Sequence, residues 1–516
     1  MARPSFEEGI IAKRYGKFAT DRQQYIDRGR QCAWLTIPSI LPRHGAKNTK
    51  LVAPYQGIGA RGVNNLSAKL LLALFPPNVP FFRLAIDDFQ LAKLAQSDEL
   101  RGEVEQALSK FERAIALDIE TTAIRVPLFE ALKHLIVVGN ILLYRDPDTG
   151  RSRAIPLTHY VVRRDHLGTV LEVIVHERIA LSLLPEAVAA QVRAKHAHLA
   201  EDEDIEEVPL YTRIVRSRTK WEVTQEAAGA AIDTGNGGYP LDQCPWIPLR
   251  MILMDGEHYG RSFVEEHYSD LFTLEMLRKA IVQAAAAAAK VVFLVKPNAT
   301  TKAKDLAKAE SGDFIQGSKD DIDVLQLEKY NDLQVAEKTS DSIEQSLSYA
   351  FLLNSALQRN AERVTAEEIR RLAQELDTSL GGVHALLAQE LQLPLVSIIM
   401  AAKTRKKEIP KLPKGFVSPV VVTGVDALGR GTDLDNLEQI EQAVANIPNA
   451  LQRIKGDEWI KRVCAAVQVD SAGLFMTDQE VQQQQQQQQA AQMAQAATPN
   501  ATAAIGQAVN QPQQGQ

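Results

Sequence analysis

The amino-acid sequence predicts a helix-rich α+β protein, and three features support that class. Leucines recur at helical spacing over residues 66–74, before a pair of prolines ends the run. Apolar runs at 160–163 and 169–175 flank a turn sequence, as in a β-hairpin. Residues 261–292 contain neither glycine nor proline, which predicts a single helix of roughly 48 Å. The chain therefore combines long helices with antiparallel strand pairs.

The first half mixes helices and strands. Helical periodicity predicts helices at 5–35, 56–75, 99–122 and 127–139. Strands are predicted at 141–144, in the hairpin just described, and in a second hairpin at 208–216 and 219–225.

The second half is organised around the long helix. Apolar residues from Val264 to Ile281 form a narrow seam and six alanines follow, so this helix is expected to pack against copies or neighbours. An α/β insertion at 293–333 separates it from a second helix at about 335–357. Thr365 and Glu368 form a capping box that starts the next helix.

Toward the C-terminus the pattern weakens. The helix begun at Thr365 is interrupted at Gly381-Gly382, and its continuation reaches a predicted kink at Pro394. A strand within 410–422 is expected to return to the first half, and helices are predicted at 433–446 and 456–468. From about 482 the tail has eight consecutive glutamines and too few large apolar residues to fold alone; it could extend a helix in an oligomer or stay disordered.

Composition excludes several classes of protein. With 45% hydrophobic and 24% charged residues among 516, the chain is expected to fold as about three domains or one large multi-part subunit. A net charge of −6 argues against a protein that grips DNA phosphates. Three distant cysteines exclude a disulfide scaffold and a cysteine zinc module. No apolar signal region and no 18-residue apolar run are found, so neither a signal peptide nor a membrane span is expected.

Motifs for catalysis are weak. Gly57, Gly59 and Gly62 match the spacing of a dinucleotide fingerprint, but Pro54 lies just upstream and the β-α-β context is missing, so tight helix–helix or subunit packing is the competing interpretation. There is no phosphate-binding P-loop and no histidine set for a metal. The residues alone therefore indicate a structural or assembly protein, with no catalytic residue, metal site or cofactor.

Basic residues gather in the insertion. Lys296, Lys302, Lys304 and Lys308 form a small group that is either a solvated face or a docking surface.

Ten stretches, in order and at matching spacing over about residues 5–475, resemble the portal proteins, or head-to-tail connectors, of short-tailed phages of the autographivirus type. These stretches are WLTIPS (34–39), GARGVNNL (59–66), LFEALK (128–133), VGN (138–140), DGE (255–257), YGRS (259–262), GDF (312–314), LQLEK (325–329), RVTAEEIR (363–370) and QELQLPLV (389–396).

The resemblance implies a portal fold of wing, stem, clip and crown, assembled as a ring that is usually a dodecamer. By position, the implied regions are a wing (1–255), a first stem helix (256–292), a clip segment (293–334), a second stem helix (335–353), a tunnel loop (354–364), a long wing helix (365–409), a strand returning to the wing (410–430) and a crown (431–480). The glutamine-rich tail (481–516) lies outside the resemblance.

The resemblance also implies sites and partners. The tunnel loop is expected to face double-stranded DNA through Gln358, Arg359, Asn360, Glu362 and Arg363. The four lysines of the clip segment are expected to dock the terminase large subunit, which is the packaging ATPase, and later the tail tubular adaptor protein. Scaffolding protein, the major capsid protein and further copies of the chain complete the expected partners, with no membrane.

A virion location at the capsid portal vertex follows from the resemblance, after assembly in the bacterial cytoplasm. Two alternatives stay open: an oligomeric phage adaptor without a DNA channel, and a nucleotide-binding enzyme that uses Gly57–Gly62.

Overall fold

A computed structural model of the chain describes residues 8–42, 51–77, 81–85, 98–196, 207–288, 292–325, 330–353, 366–380, 382–407, 420–423, 439–443, 459 and 463–464. The chain forms two compact units, one of Met1–Gln90 with Lys110–Leu428 and one of Leu91–Ser109 with Gly429–Gln516. Most of the predicted crown and all of the glutamine-rich tail lie outside the described residues.

The helices follow the predicted order. The described residues form α1 (Ile10–Leu35), α2 (Ile58–Leu74), α3 (Asp98–Thr121), α4 (Arg125–Val138), α5 (Glu186–Lys195), α6 (Phe263–Glu266), α7 (Tyr268–Ala288), α8 (Ala303–Leu306), α9 (Tyr330–Ala350), α10 (Ala366–Ser379), α11 (Val383–Leu387) and α12 (Leu393–Arg405).

The strands pair antiparallel throughout the described residues. They are β1 (Phe82–Ala85), β2 (Asn140–Arg145), β3 (Ser152–Pro156), β4 (Tyr160–Arg164), β5 (Val170–Ala180), β6 (Glu207–Arg216), β7 (Lys220–Ala227), β8 (Ala230–Pro240), β9 (Trp246–Arg250), β10 (Val292–Val295), β11 (Ile322–Leu325) and β12 (Val420–Thr423). A five-stranded meander runs β4-β5-β6-β7-β8, a three-stranded sheet is ordered β3-β2-β9, and β1–β12 and β10–β11 are two-stranded. Both predicted hairpins are confirmed.

Helix α1 and the five-stranded sheet share a core. Ile11, Tyr15 and Phe18 recur at helical spacing on α1 and pack against Val161 and Ile174 of the sheet. A second apolar cluster joins α5 to strands β6, β7 and β8. This part of the molecule is stabilised mainly by buried apolar surface.

The start of the long helix is fixed to the three-stranded sheet. The side chain of Asn140 accepts a hydrogen bond from the Gly260 amide (2.7 Å) and donates one to the Gly260 carbonyl (2.8 Å). Gly139 has φ +83°, and a Cβ there would lie 2.6 Å from the backbone of Arg261. Glycine is therefore required at 139 for both its conformation and the close approach.

The predicted single helix over 261–292 is interrupted. Ser262 caps α6 by accepting a hydrogen bond from the Glu265 amide, and a one-residue break at His267 separates α6 from α7. The His267 ring packs against those of Phe263 and Phe351, with centroids 4.9 and 5.9 Å away. Helix α7 ends at Ala288, and Val292 begins strand β10.

Two other predictions concern the C-terminal end of the larger unit. Strand β12 pairs with β1, so the predicted return of the chain to its first half is confirmed. Before Pro394 lies a π-helical turn, Ala388–Gln392, and helix continues on both sides of it. Because a proline lacks a backbone N–H, a widened turn is one way to continue the helix through it.

One helical run in the described part of the chain, Val383–Arg405, is long and apolar enough to cross a bilayer on length and composition alone. Its most apolar window is 44% buried inside the protein, where Leu395, Val396 and Ile399 lie in the core. Core helices of non-membrane proteins pass the same test.

Candidate functional site

The segment predicted to be the clip (293–334), called the clip segment below, has a hydrogen-bond network centred on one carboxylate, that of Asp321. Strands β10 and β11 pair along Val292–Val295 and Ile322–Leu325. Next to β11, one carboxylate oxygen of Asp321 accepts hydrogen bonds from the amides and hydroxyls of Thr300 and Thr301, at 2.9–3.2 Å. These bonds, led by the one from the Thr300 side chain, hold the pKa of Asp321 below its usual value. A polar network therefore fixes the loop that follows β10.

Gly317 completes this network. The Thr301 hydroxyl accepts a hydrogen bond from the Ser318 amide at 3.0 Å. A Cβ at Gly317 would lie 2.3 Å from that hydroxyl oxygen, so a larger residue would displace it. The turn depends on glycine for close approach, without a positive φ.

The clip segment lacks a core of its own in the part that the structure describes. Among residues 294–323, whose side chains are described, only Thr301 is buried. Leu294 and Ile315 are partly exposed, and Phe314 is fully exposed at 105%. A two-stranded hairpin without a packed face is marginally stable in water, so this region has apolar surface left to cover.

All four predicted docking lysines lie in this segment. Lys296, Lys302, Lys304 and Lys308 are exposed. Over residues 293–325 there are five lysines and six acidic residues, a net charge of −1. The lysines are thus interleaved with carboxylates and do not form a basic patch. Phe314, which lies within the GDF stretch of the resemblance, was missed as a candidate because an isolated exposed aromatic has no periodic signal.

Helices α7 and α9 pack side by side. Leu271 and Leu274 of α7 and Leu347 of α9 are buried. The Arg278 guanidinium lies 2.7 Å from Glu344 and 3.2 Å from Asp341. Because exposed ion pairs contribute only about 0–1 kcal/mol each, the buried leucines contribute most of the stability of the helix pair.

The helix pair also carries outward apolar side chains. Phe272, Met276 and Val282 on α7 and Val335 and Tyr349 on α9 are exposed. The seam predicted from the sequence therefore serves packing inside the chain, and a different set of residues faces outward. Apolar and aromatic surface of this kind is typical of a protein interface.

The glycine motif is a packing motif. A Cβ at Gly59 would lie 2.4 Å from the Leu35 carbonyl, and one at Gly62 would lie 2.5 Å from the Phe351 ring. Residues 51–57, which precede α2, contain no strand. The tight-packing interpretation is confirmed, and the dinucleotide interpretation lacks the strand that it requires.

The predicted DNA-contacting residues Gln358, Arg359, Asn360, Glu362 and Arg363 lie outside the described residues, as does Thr365 of the capping box. The structure describes what precedes and follows them, namely Phe351–Leu353 and α10.

The sequence is similar to a known protein family over most of its length. The profile of the bacteriophage head to tail connecting proteins matches residues 8–474. The portal protein of Escherichia phage T7 is 42% identical over 482 residues, which cover 91% of this chain and 88% of that protein. The portal protein of Enterobacteria phage T3 is 41% identical over 515 residues, covering 98% and 94%. That of Enterobacteria phage SP6 is 30% identical over 480 residues, covering 92% and 91%.

Proposed function

Because this chain belongs to the head to tail connecting proteins of bacteriophages and functions as a portal, we propose that its copies close into a ring, a dodecamer, around a channel for double-stranded DNA. The observation that carries the proposal is the similarity to two phage portal proteins over nearly the whole chain. The proposed ring sits at one vertex of the capsid.

The helix pair supports a ring of copies. A head-to-tail ring needs two different surfaces on each subunit, one for each neighbour. Phe272 and Met276 on α7 and Val335 and Tyr349 on α9 supply exposed apolar side chains on two separate helices. We assign these helices to the stem and the contact between them and the next copies to the ring interface.

The charge of the chain supports passage of DNA without tight binding. Each phosphate that a protein neutralises releases counterions and adds affinity. A chain with net charge −6 is suited to letting DNA slide. In this proposal the tunnel loop faces the bore, where Arg359 and Arg363 are isolated cations.

The clip segment is proposed to dock the packaging ATPase, the terminase large subunit, during filling and the tail adaptor afterwards. Its exposed lysines and Phe314 support a docking role, since buried aromatics contribute most to binding energy and charges mainly direct encounter. ATP hydrolysis belongs to the docked motor, and the chain itself has no catalytic step.

Assembly is proposed to occur in the bacterial cytoplasm with scaffolding protein and the major capsid protein, without a membrane. The finished ring then remains in the virion at the portal vertex.

Electron microscopy of the purified protein tests the ring. End-on class averages are expected to show closed rings with rotational symmetry and a hole wide enough for duplex DNA. Closed rings without such a hole would instead support the adaptor that has no DNA channel. If only monomers form, the experiment is repeated with scaffolding protein present, and monomers there too would contradict the proposal.

The tunnel loop is tested by neutralising Arg359 and Arg363 together, to Gln. Rings are expected to form normally while packaging or retention of DNA changes. Wild-type packaging and retention in this variant would remove the two arginines from the proposed channel site.

A further inference from the structure

Aromatic side chains from two helices meet on the surface of α7. The Phe272 ring stacks on that of Tyr268, with centroids 6.0 Å apart and planes 16° apart. Trp34, near the end of α1, brings its ring centroid to 6.5 Å from that of Phe272. Phe272 and Met276 are 39% and 38% exposed. Helices α1 and α7 therefore build one aromatic surface that reaches solvent.

A buried carboxylate joins a third segment to this surface. Glu275 of α7 is 3% exposed and accepts a hydrogen bond from the Gln56 amide at 3.1 Å. The Gln56 side chain in turn donates to the Leu35 carbonyl at 2.6 Å, next to Trp34. Tyr55, which is 51% exposed, is thereby held beside α7. Because a buried charge is costly unless it is hydrogen-bonded, we assign Glu275 to fixing the position of this segment.

The composition of this surface is typical of a protein interface. Its members, called the α7 patch below, are Trp34, Tyr55, Tyr268, Phe272 and Met276. Tryptophan, tyrosine, phenylalanine and methionine are enriched where proteins bind each other. Clustered aromatic side chains also contribute most of the binding energy at the centre of an interface. The α7 patch is therefore expected to bind protein.

Helix α9 carries an exposed stripe with a different surface. Tyr349 lies two residues from the buried Leu347, so its ring points to the other side of the helix and is 62% exposed. Toward the other end of α9, Val335 is 66% exposed. Ser342 and Ser346 are exposed between them. Small side chains opposite large ones let two surfaces interdigitate, so this stripe suits the rings of the α7 patch.

Two contacts within the chain give the relative heights of α7 and α9. Arg278 of α7 lies 2.7 Å from Glu344 of α9. Next to the start of α7, the His267 ring lies 5.9 Å from that of Phe351, just after the end of α9. Because the earlier residue of one helix meets the later residue of the other, the helices are antiparallel. Residues between the two contacts lie at similar heights.

Phe272 and Tyr349 both lie between these two contacts. Phe272 is about 120° around α7 from Arg278, and Tyr349 is about 140° around α9 from Glu344, at about 100° per residue. Within one chain, both side chains therefore point away from the contact between the helices, at similar heights.

Rotation about a ring axis takes a residue to the next copy without changing its height along that axis. In the proposed function α7 and α9 form the stem and run along the channel, so Tyr349 of one copy is level with Phe272 of the next. Lys279 is level with Asp341, because its neighbour Arg278 lies 3.2 Å from that carboxylate. Both residues are exposed and carry opposite charges, which favours contact between α7 of one copy and α9 of the next.

We propose that the α7 patch of each copy binds the exposed stripe of α9 on the next copy, with Phe272 of one against Tyr349 of the other. The inference rests on the proposed function and gives its ring a direction, since two different surfaces meet at every contact. It also brings the wing into the contact, through Trp34 and Tyr55.

Cysteine cross-linking tests the pairing. Rings of the full chain that carry Phe272→Cys and Tyr349→Cys are assembled in reductant, oxidised mildly and run on a denaturing gel. A disulfide needs Cα atoms within about 7 Å, whereas the axes of packed helices already lie about 8–10 Å apart. Because both positions face away from the helix contact, a disulfide between them joins two copies. The parent chain, with its three free cysteines, gives the background.

The oxidised rings are expected to give a ladder of covalent multimers that extends to the complete ring. The pair Phe272→Cys with Val335→Cys is the matched control and should give no ladder, because Val335 lies 14 residues, or about 21 Å, from Tyr349 along the same stripe. Covalent dimers alone would mean that two identical surfaces meet. That result, or well-formed rings without cross-links, would overturn the inference.

If the double-cysteine variant forms no rings, a dilution series decides. Phe272→Ser should raise the concentration at which rings form by roughly thirtyfold or more, because truncation of a central interface aromatic weakens binding by about that factor. Leu167→Ser, at an 80% exposed leucine between β4 and β5, is the control and should assemble as wild type. Equal assembly of the two variants would overturn the inference. Failure of the proposed function would look different, because the wild-type chain would then form no rings even with scaffolding protein.

Discussion

In the five-stranded sheet, β5 carries Val173, Ile174 and Val175, each at most 1% exposed, and Ile174 packs in the core that α1 covers. In the clip segment, by contrast, β10 and β11 pair over four residues each, and Thr301 alone is buried among the described side chains of 294–323. The first region completes its fold within one chain. The second is held by hydrogen bonds to Asp321 and leaves Phe314 in solvent. We infer that the exposed surface of the clip segment is covered by other molecules when the protein assembles.

The largest expected contrast is in how much the free energy of unfolding falls when an isoleucine is replaced by alanine in each region. Ile174→Ala should lower the free energy of unfolding by about 4 kcal/mol, because it leaves a cavity in a sealed core. Ile315→Ala in the clip segment should change it by less than about 0.5 kcal/mol. Urea denaturation followed by tryptophan fluorescence measures both, and similar losses at the two sites would contradict the comparison.

Acid should first weaken the core around α4, a helix that packs on α1 and on the three-stranded sheet. Burial lowers the pKa of His134, on α4, to about 4, against 6.5 in the unfolded chain. Between these values the unfolded state binds the extra proton, so stability is complete above pH 6.5 and falls as the pH drops toward 4, by up to about 3 kcal/mol. Denaturation curves at several pH values test this, with His134→Gln as the variant in which the slope should decrease.

The clip segment should respond to acid later. Hydrogen bonds hold the pKa of Asp321 below 3.8, so its contribution is present above that value and is lost only as the pH falls through its lower folded pKa. Asp321→Asn should speed amide hydrogen exchange at Thr300 and Thr301 severalfold at neutral pH. Exchange in β4–β8 serves as the internal control and should not change; unchanged exchange at the two threonines would mean that the carboxylate does not hold the loop.

The smallest effect is expected at Phe314. Because its ring is fully exposed, Phe314→Ser should alter the free energy of unfolding by less than about 0.5 kcal/mol. The matched measurement is binding of the packaging ATPase to assembled rings, which should weaken. If Phe314→Ser instead lowers the free energy of unfolding by more than about 1 kcal/mol and leaves binding unchanged, the Phe314 side chain serves packing and not docking.

Many elements outside the clip segment were predictable because the sequence patterns that specify them are local. The leucine spacing of α2 and the turn between β4 and β5 each lie within a few residues, and the structure confirms both elements. The break at His267 was not predictable, since no glycine or proline marks it. It coincides with packing on Phe351, a residue more than 80 positions later.

The candidate site was less predictable than the fold. Lys302 and Lys304 were identified by charge, but the sequence could not show that the Phe314 ring in the same segment would be fully exposed. Lys69 gave no signal at all, because a lysine among helical leucines is expected on a surface. Its side chain is buried, and its ammonium donates to the carbonyl of Leu352, just after the C-terminal end of helix α9.

Amide hydrogen exchange of the clip segment, measured by mass spectrometry on dispersed subunits and on assembled rings of the same chain, tests the central claim most directly. If neighbouring copies complete the clip segment, peptides within residues 294–325 should exchange more slowly in rings than in subunits, while peptides of β4–β8 exchange alike in both. Equal exchange of the clip segment in the two states would contradict the account, because neighbouring copies would then add nothing to its stability.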